Sequence, residues 1–111
     1  MISIKNSKSI AIMQPYLFPY IGYYQLIDFV DKFVLYDDVS FMKSKWINRN
    51  LILVNGMPYR FTLPLSKASQ NKSILDTFVH EEKFFYWREK LIKTIFINYK
   101  SSPYRDKVIE V

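Results

Sequence analysis

The sequence predicts an α/β fold built on a Rossmann-like βαβ unit, with an antiparallel hairpin and a C-terminal amphipathic helix, as part of a larger domain. Three patterns predict it. Residues 9–13, 21–31 and 32–36 follow one another as an apolar run, a segment with helical periodicity and a second apolar run. Asn55-Gly56 separates two strand-like runs, and residues 82–99 repeat apolar side chains at helical spacing.

The first unit consists of two strands joined by a helix. The apolar run at residues 9–13 ends at Gln14-Pro15, because proline has no amide proton to donate to a strand ladder. Residues 21–31 place apolar side chains on one helix face, and residues 32–36 form a second apolar run that ends at Asp37-Asp38. A strand, a helix and a strand within about 28 residues favour a parallel pair with a right-handed crossover.

The middle of the chain predicts an antiparallel hairpin. Asn55-Gly56 lies between residues 51–54 and 57–63, and both turn residues tolerate the positive φ that a type I′ turn requires. Pro58 indicates a strand start or a sheet edge, since it cannot donate a ladder hydrogen bond. The polar residues 66–73 are expected to form a loop.

The C-terminal part predicts one long helix and the beginning of another. Apolar residues recur every three or four positions over residues 82–99, and Ser101-Ser102-Pro103 ends that helix. His80 is the only histidine, and we expect it at the surface where the helix begins, because no second metal ligand accompanies it. Residues 104–111 indicate a further helix that the sequence does not finish.

Composition narrows the class of protein. Half of the 111 residues are hydrophobic, which excludes a disordered chain, and the length suits one domain at most. There is no cysteine, no secretory signal at residues 1–8 and no apolar run of membrane-spanning length, so we expect a cytoplasmic protein. Aromatic residues make up 18% of the chain, which suits a core and also pockets for planar or sugar-like ligands.

The net charge of +6 is unevenly distributed. Residues 1–40 carry three Lys and four Asp, a net charge of −1, whereas residues 41–111 carry thirteen Lys or Arg and six Asp or Glu, a net charge of +7. A basic half could meet phosphorylated small molecules, an anionic surface or nucleic acid, or could simply be a solvated face. We expect no nucleic-acid partner, because the sequence has no RNP signature and no zinc-finger spacing.

The stretch from residue 14 to residue 24 is the strongest candidate for a ligand site. It contains five aromatic residues and two prolines. A loop between a parallel strand and the next helix lies where open α/β sheets bind ligands, and the helix N-terminus there suits phosphate or carboxylate. Gly22 would permit a close backbone approach. The alternative interpretation is an aromatic loop that packs into the core.

Two polar clusters follow the second strand. Asp37 and Asp38 end that strand at the same sheet edge as the aromatic loop. They could hold a ribose, bind a metal or act as a base, or they could cap a turn. Residues 43–50 combine Lys, Arg, Asn and Trp side chains that could bind phosphate and offer a stacking platform, or could form an exposed loop.

Three stretches of the sequence together resemble the WbqC-like protein family. They are Ile10-Ala-Ile-Met-Gln-Pro-Tyr-Leu-Phe-Pro-Tyr-Ile-Gly-Tyr-Tyr-Gln-Leu-Ile27, Asp31-Lys-Phe-Val-Leu-Tyr-Asp-Asp38 and Trp46-Ile-Asn-Arg-Asn50. The Asn55-Gly56 turn, Phe61-Thr-Leu-Pro-Leu65 and Ser69-Gln-Asn-Lys72 continue the resemblance, which covers nearly the whole chain. Because family chains are typically longer, the resemblance implies that residues 1–111 are one α/β domain forming the N-terminal portion of a WbqC-like protein.

The resemblance also implies a function. It indicates a bacterial acyl- or aminoacyl-transferase, of the glycine-transferase type, that acts on an amino sugar in surface-polysaccharide (lipopolysaccharide O-antigen) biosynthesis. Residues 1–111 alone are then expected to be inactive.

A more distant similarity, to HIGH-type nucleotidylyltransferases, places Tyr20-Ile-Gly-Tyr23 at the position of their His-x-Gly-His motif. Tyrosine hydroxyls donate hydrogen bonds but carry no positive charge. Two alternatives stay open: a HIGH-type enzyme that activates a carboxylate with ATP, and a non-catalytic binding protein.

The predicted site is one cleft at the carboxyl ends of the first two strands, because both loops leave the same sheet edge. The predicted catalytic residues are Asp38, Tyr20 and Tyr23. The predicted substrate-binding residues are Gln14, Tyr16, Gly22, Asp37, Trp46, Asn48 and Arg49. No metal ligand is predicted and the cofactor is left open. The expected partner is a small-molecule substrate such as a sugar nucleotide.

Overall fold

The computed structural model describes residues 8–111, and these residues form three helices and six strands. In chain order its elements are β1 (Ile10–Met13), α1 (Ile21–Phe29), β2 (Lys32–Leu35), β3 (Arg49–Val54), β4 (Met57–Thr62), β5 (Leu65–Ser66), β6 (Phe78–Val79), α2 (Glu81–Asn98) and α3 (Arg105–Glu110). The predicted α/β class is therefore confirmed. The expectation that the N-terminus holds no secretory signal concerns residues that lie almost entirely outside the described ones.

The β1–α1–β2 unit forms a two-stranded parallel sheet, as predicted. The register runs from Ile10 opposite Lys32 to Met13 opposite Leu35. Two backbone bonds extend the pairing at both ends: Lys32 N–H donates to the Ser9 carbonyl over 3.1 Å, and Tyr36 N–H donates to the Met13 carbonyl over 2.7 Å. The carboxyl ends of the two strands therefore meet at one sheet edge, where the aromatic loop begins.

Reciprocal hydrogen bonds between Ser9 and Asp31, which we call the clasp, lie at the opposite end of this unit. The Asp31 carboxylate accepts hydrogen bonds from the Ser9 backbone N–H over 2.8 Å and from the Ser9 hydroxyl over 2.9 Å. The Asp31 N–H in turn donates to the Ser9 hydroxyl oxygen over 3.1 Å. The pKa of Asp31 lies below its ordinary value. The main cause is the hydrogen bond from the Ser9 backbone N–H, and the second is the bond from the Ser9 side chain, because both stabilise the ionised carboxylate.

We expect this clasp to make stability depend on acidic pH. Because the folded pKa of Asp31 is depressed, its contribution is fully present above the ordinary pKa of 3.8 and is lost as pH falls through the folded value. Wild type should therefore have a higher Tm than Asp31→Asn at pH 7, and the difference should shrink below about pH 4. Thermal melts from pH 7 to pH 2 measure it. Asp28→Asn, which removes an exposed carboxylate of α1, is the control. A higher Tm of wild type over Asp31→Asn that persisted at low pH would contradict the stabilising role of the clasp.

The strands β3 and β4 pair antiparallel, from Arg49 opposite Thr62 to Val54 opposite Met57. Asn55 and Gly56 connect them with φ angles of 52° and 75°, the positive values that a two-residue turn of this type requires.

Side chains occupy the free edge of β3. The Leu53 N–H donates to the Tyr99 hydroxyl over 2.8 Å, and the Asn55 N–H donates to the Asn98 side-chain oxygen over 2.9 Å. The Leu51 N–H donates to the side-chain oxygen of Asn50 over 2.8 Å. An edge strand with its outward amides occupied in this way is protected against pairing with another chain.

Residues 66–73 were expected to form a loop, but their first residue belongs to a strand. Leu65 and Ser66 of β5 pair antiparallel with Val79 and Phe78 of β6. Two-residue strands carry no periodicity that a sequence pattern could reveal.

The helix α2 begins and packs much as its periodicity predicts. The side chain of His80 caps it by accepting a hydrogen bond from the Lys83 N–H over 3.4 Å, which confirms the predicted position of His80 at the helix entry. Trp87 packs against Phe61 of β4 and Phe84, with ring centroids 6.4 and 5.8 Å apart. No helix within residues 8–111 is long and apolar enough to cross a membrane.

Little of the chain is buried. Among residues 8–111, the buried hydrophobic side chains are Tyr23, Phe41, Phe61 and Leu91. Several large apolar side chains are more than two-thirds exposed, among them Ile21, Phe29 and Phe78. An apolar groove of about 850 Å³ lies open between the β3–β4 pair and the helices α2 and α3. The fold therefore leaves a large apolar area uncovered.

Candidate functional site

An aromatic cavity of about 410 Å³ lies beside the loop that follows β1. Its walls are mostly aromatic rings, and one amide side chain completes them: Tyr16, Phe18, Pro19, Tyr20, Trp46 and Asn50. Tyr20 and Trp46 are 68% and 40% exposed, so their rings are open to a ligand. A cavity of this size and lining suits a flat or partly apolar small molecule.

Trp46 connects the aromatic cavity to a positive charge. The Arg49 guanidinium lies over the Trp46 ring, 5.8 Å from its centroid, within the range of a cation–π interaction. One terminal nitrogen of Arg49 donates to the Ser44 carbonyl. The Nε of Arg49 is buried and has no hydrogen-bond partner among residues 8–111. Arg49 therefore stands next to the cavity, although it does not line it.

Tyr23 lies beneath the loop rather than at its surface. It is 4% exposed, and its ring makes edge contacts with Tyr16 and Phe33 at centroid distances of 5.8 and 5.4 Å. Its hydroxyl donates to the Gln14 carbonyl over 2.7 Å. Burial raises the pKa of Tyr23, and the neighbouring Tyr16 raises it further. The Tyr23 hydroxyl therefore stays protonated and keeps donating its hydrogen bond at neutral pH. Tyr23 thus holds the start of the loop.

Gly22 matters because of the Tyr20 ring. A Cβ at Gly22 would lie 2.5 Å from Cε2 of Tyr20, closer than real Cβ contacts come. Tyr20 therefore lies against the first turn of α1 only because position 22 has no side chain. The group that approaches Gly22 in the structure is the Tyr20 ring, and the substrate contact predicted for Gly22 stays a prediction.

Three further predicted residues do not line the aromatic cavity. Asp37 and Asp38 follow β2 after Tyr36, and the Asp37 carbonyl accepts a hydrogen bond from the Leu75 N–H over 2.8 Å. Asp38 is exposed. The Asn48 side chain donates to the Leu63 carbonyl over 3.1 Å, which extends the β3–β4 pairing by one step.

The structure brings together three of the ten predicted site residues in one cavity: Tyr16, Tyr20 and Trp46. Gln14, Gly22, Tyr23 and Arg49 contact or support members of this cavity, whereas Asp37, Asp38 and Asn48 lie outside its lining. The predicted list omitted Phe18, Pro19 and Asn50, which complete the walls. Phe18 and Pro19 lie inside the aromatic stretch, so its composition was the signal that could have included them.

Within residues 8–111 there is no group of three His, Cys, Asp or Glu side chains that could hold a metal ion.

The sequence is similar to a protein family and to a mycobacterial protein. The WbqC-like protein family matches residues 14–111. The uncharacterized protein Rv1507c of Mycobacterium tuberculosis is 37% identical over 73 residues, which are 65% of this chain and 32% of that relative. The matched part therefore spans about a third of the relative's length. No solved structure matches this chain.

Proposed function

Because this chain belongs to the WbqC-like protein family, we propose that it binds a sugar nucleotide for an acyl- or aminoacyl-transfer reaction. The observation that carries the proposal is the aromatic cavity, with the Arg49 guanidinium over the Trp46 ring. A sugar nucleotide combines a flat base, a diphosphate and a sugar. Exposed aromatic faces and an adjacent cation meet the first two of these requirements.

The base would stack in the aromatic cavity. Stacking of a nucleobase on an aromatic side chain is worth about 1–3 kcal/mol and tolerates any base. Among the rings of the cavity walls, Tyr20 is 68% exposed, Phe18 53%, Trp46 40% and Tyr16 37%. The diphosphate would then lie toward Arg49, whose planar guanidinium binds two phosphate oxygens together.

The transfer step would use the carboxyl ends of β1 and β2. The amine nitrogen of the acceptor sugar attacks the carbonyl carbon of an activated acyl donor, forming an N–C bond. The bond from that carbon to the leaving group breaks, and the leaving group departs with the electron pair. Asp38 is the proposed base that takes the amine proton. Asp37 would contact the acceptor. Tyr23 and Gln14 would position the loop through their hydrogen bond.

The proposed setting follows the family. An amino-sugar acceptor and a glycine-type acyl group would suit a cytoplasmic step in bacterial surface-polysaccharide biosynthesis.

We also propose that residues 1–111 are the N-terminal portion of a longer WbqC-like protein, with β1 and β2 in a larger Rossmann-like sheet beside the β3–β4 hairpin. The exposed apolar side chains and the apolar groove support this proposal, as does the 32% coverage of the mycobacterial relative. Parallel sheets are normally covered on both faces, whereas Ile10 and Ile12 of β1 are exposed. Residues 1–111 alone would then be inactive.

Calorimetry on the whole protein tests the proposed ligand. Arg49→Ala should weaken binding of a uridine-diphosphate amino sugar by about 1.5–3 kcal/mol, because it removes a charge-assisted hydrogen bond. Arg60→Ala, which removes an exposed arginine of β4, is the matched control and should bind like wild type. Asp38→Asn should retain binding but lose acyl transfer. Equal binding by wild type and Arg49→Ala would contradict the site, and pyrophosphate release from ATP and glycine would indicate carboxylate activation instead.

A further inference from the structure

The side chain of Asn50 fastens the aromatic loop to β3. Its Nδ2 donates to the Leu17 carbonyl over 3.0 Å and to the Phe18 carbonyl over 2.7 Å. The Leu17 N–H donates to the Ile47 carbonyl over 3.1 Å, which adds a backbone bond between the same two segments. Asn50 is separated from the loop by more than thirty residues in sequence, so these bonds fix a tertiary contact.

The fastened residue has an unusual backbone. Phe18 has a φ of 48°, in the left-handed region that side chains other than glycine rarely adopt. Such a conformation persists only where the surrounding structure holds it, and it occurs often at ligand sites. Both carbonyls that accept from Asn50 flank this conformation, one at Phe18 itself and one at the residue before it.

The left-handed conformation directs the Phe18 ring to a particular place. The ring lies 6.0 Å from the buried Phe61 ring, measured between centroids. Phe18 and Asn50 line the aromatic cavity, and both also line the apolar groove between the β3–β4 pair and the helices α2 and α3. Phe18 therefore forms a wall shared by the two cavities, and its backbone conformation sets the shape of both.

We propose that Asn50 is the positioning residue of the aromatic cavity. Its two hydrogen bonds hold Phe18 in the left-handed conformation, and the Phe18 ring then forms the wall against which a ligand packs. The inference rests on the proposed function for the identity of that ligand, whereas the bonds themselves can be tested without any ligand.

Exchange of the Leu17 amide, whose N–H donates to the Ile47 carbonyl, reports whether the aromatic loop stays in place without the Asn50 side-chain bonds. Asn50→Ala should speed exchange of the Leu17 amide by at least about tenfold, because the loop loses its two side-chain bonds. Asn50→Asp keeps the shape but replaces the donor with an acceptor facing two carbonyls, so it should speed exchange at least as much. The Tyr36 amide, bonded to the Met13 carbonyl, should not change. Protection of Leu17 retained in Asn50→Asp would show that only packing matters and would overturn the proposal.

A second variant tests the backbone conformation. Glycine adopts positive φ without steric cost, so Asn50→Ala/Phe18→Gly should exchange Leu17 more slowly than Asn50→Ala/Phe18→Ala, which equally lacks the ring, by at least about threefold. An equal or faster exchange would contradict the claim that Asn50 holds a conformation that is costly for Phe18.

Binding of uridine diphosphate separates the inference from the proposed function. Wild type should bind it, and Asn50→Ala should bind at least about fivefold more weakly, as expected for a displaced wall residue. If wild type binds none, the proposed function fails and the exchange data alone decide the role of Asn50. If both bind equally while Leu17 exchange rises, Asn50 does not position the ligand.

Discussion

Phe61→Ala should lower the free energy of unfolding by about 3–5 kcal/mol, the cost of removing a buried aromatic ring. Phe61 is 6% exposed and is the point where three parts of the chain meet. Its ring packs against Phe18 of the aromatic loop and Trp87 of α2, at centroid distances of 6.0 and 6.4 Å.

Urea unfolding of the whole protein measures this prediction, with Phe85→Ala as the matched control. Phe85 belongs to the same helix as Trp87 but is 61% exposed, so its truncation should change stability by less than about 0.5 kcal/mol. A loss below about 1 kcal/mol for Phe61→Ala would mean that the contact between β4, α2 and the aromatic loop does not hold the fold together.

Trp46→Ala should weaken binding of a uridine-diphosphate amino sugar by about 1–3 kcal/mol, and its effect should be among the largest of any surface substitution. The change removes a stacking face and also the ring over which the Arg49 guanidinium lies. Both the base and the diphosphate would therefore lose part of their support.

Tyr24→Ala is the matched control for Trp46→Ala. Tyr24 is a 53% exposed aromatic residue of α1 that does not line the aromatic cavity, so its loss should leave affinity unchanged. Calorimetric titrations of the two variants compare them directly. A loss of affinity in Tyr24→Ala but not in Trp46→Ala would place the ligand on another face of the molecule.

The elements that could be predicted from the sequence are those with a local cause. The parallel pair follows from two apolar runs and a helix within one short stretch, and α2 follows from its periodicity. The turn at Asn55-Gly56 follows from the tolerance of both residues for positive φ. The proline at position 58 fits its strand because it stands opposite Leu53 at a sheet edge, where no partner requires its amide.

The details of the candidate site depend on distant contacts, which one sequence does not reveal. Tyr23 was predicted as catalytic from its place in the loop. Its burial could not be predicted, because it depends on packing against Phe33 of the next strand. Asn50 contributes through bonds to residues more than thirty positions away. The composition of the aromatic loop was enough to predict it as a candidate ligand site, since a loop rich in tyrosine and proline is unusual. Composition alone cannot say which of its rings face solvent.

A crystal structure of the whole protein with a uridine-diphosphate amino sugar tests the central claim most directly. The account predicts the base in van der Waals contact, about 3.5–4.0 Å, with the Trp46 or Tyr20 ring, and the diphosphate within hydrogen-bond distance of the Arg49 guanidinium. A nucleotide bound elsewhere would contradict it. So would a structure in which another part of the protein fills the aromatic cavity and buries both rings.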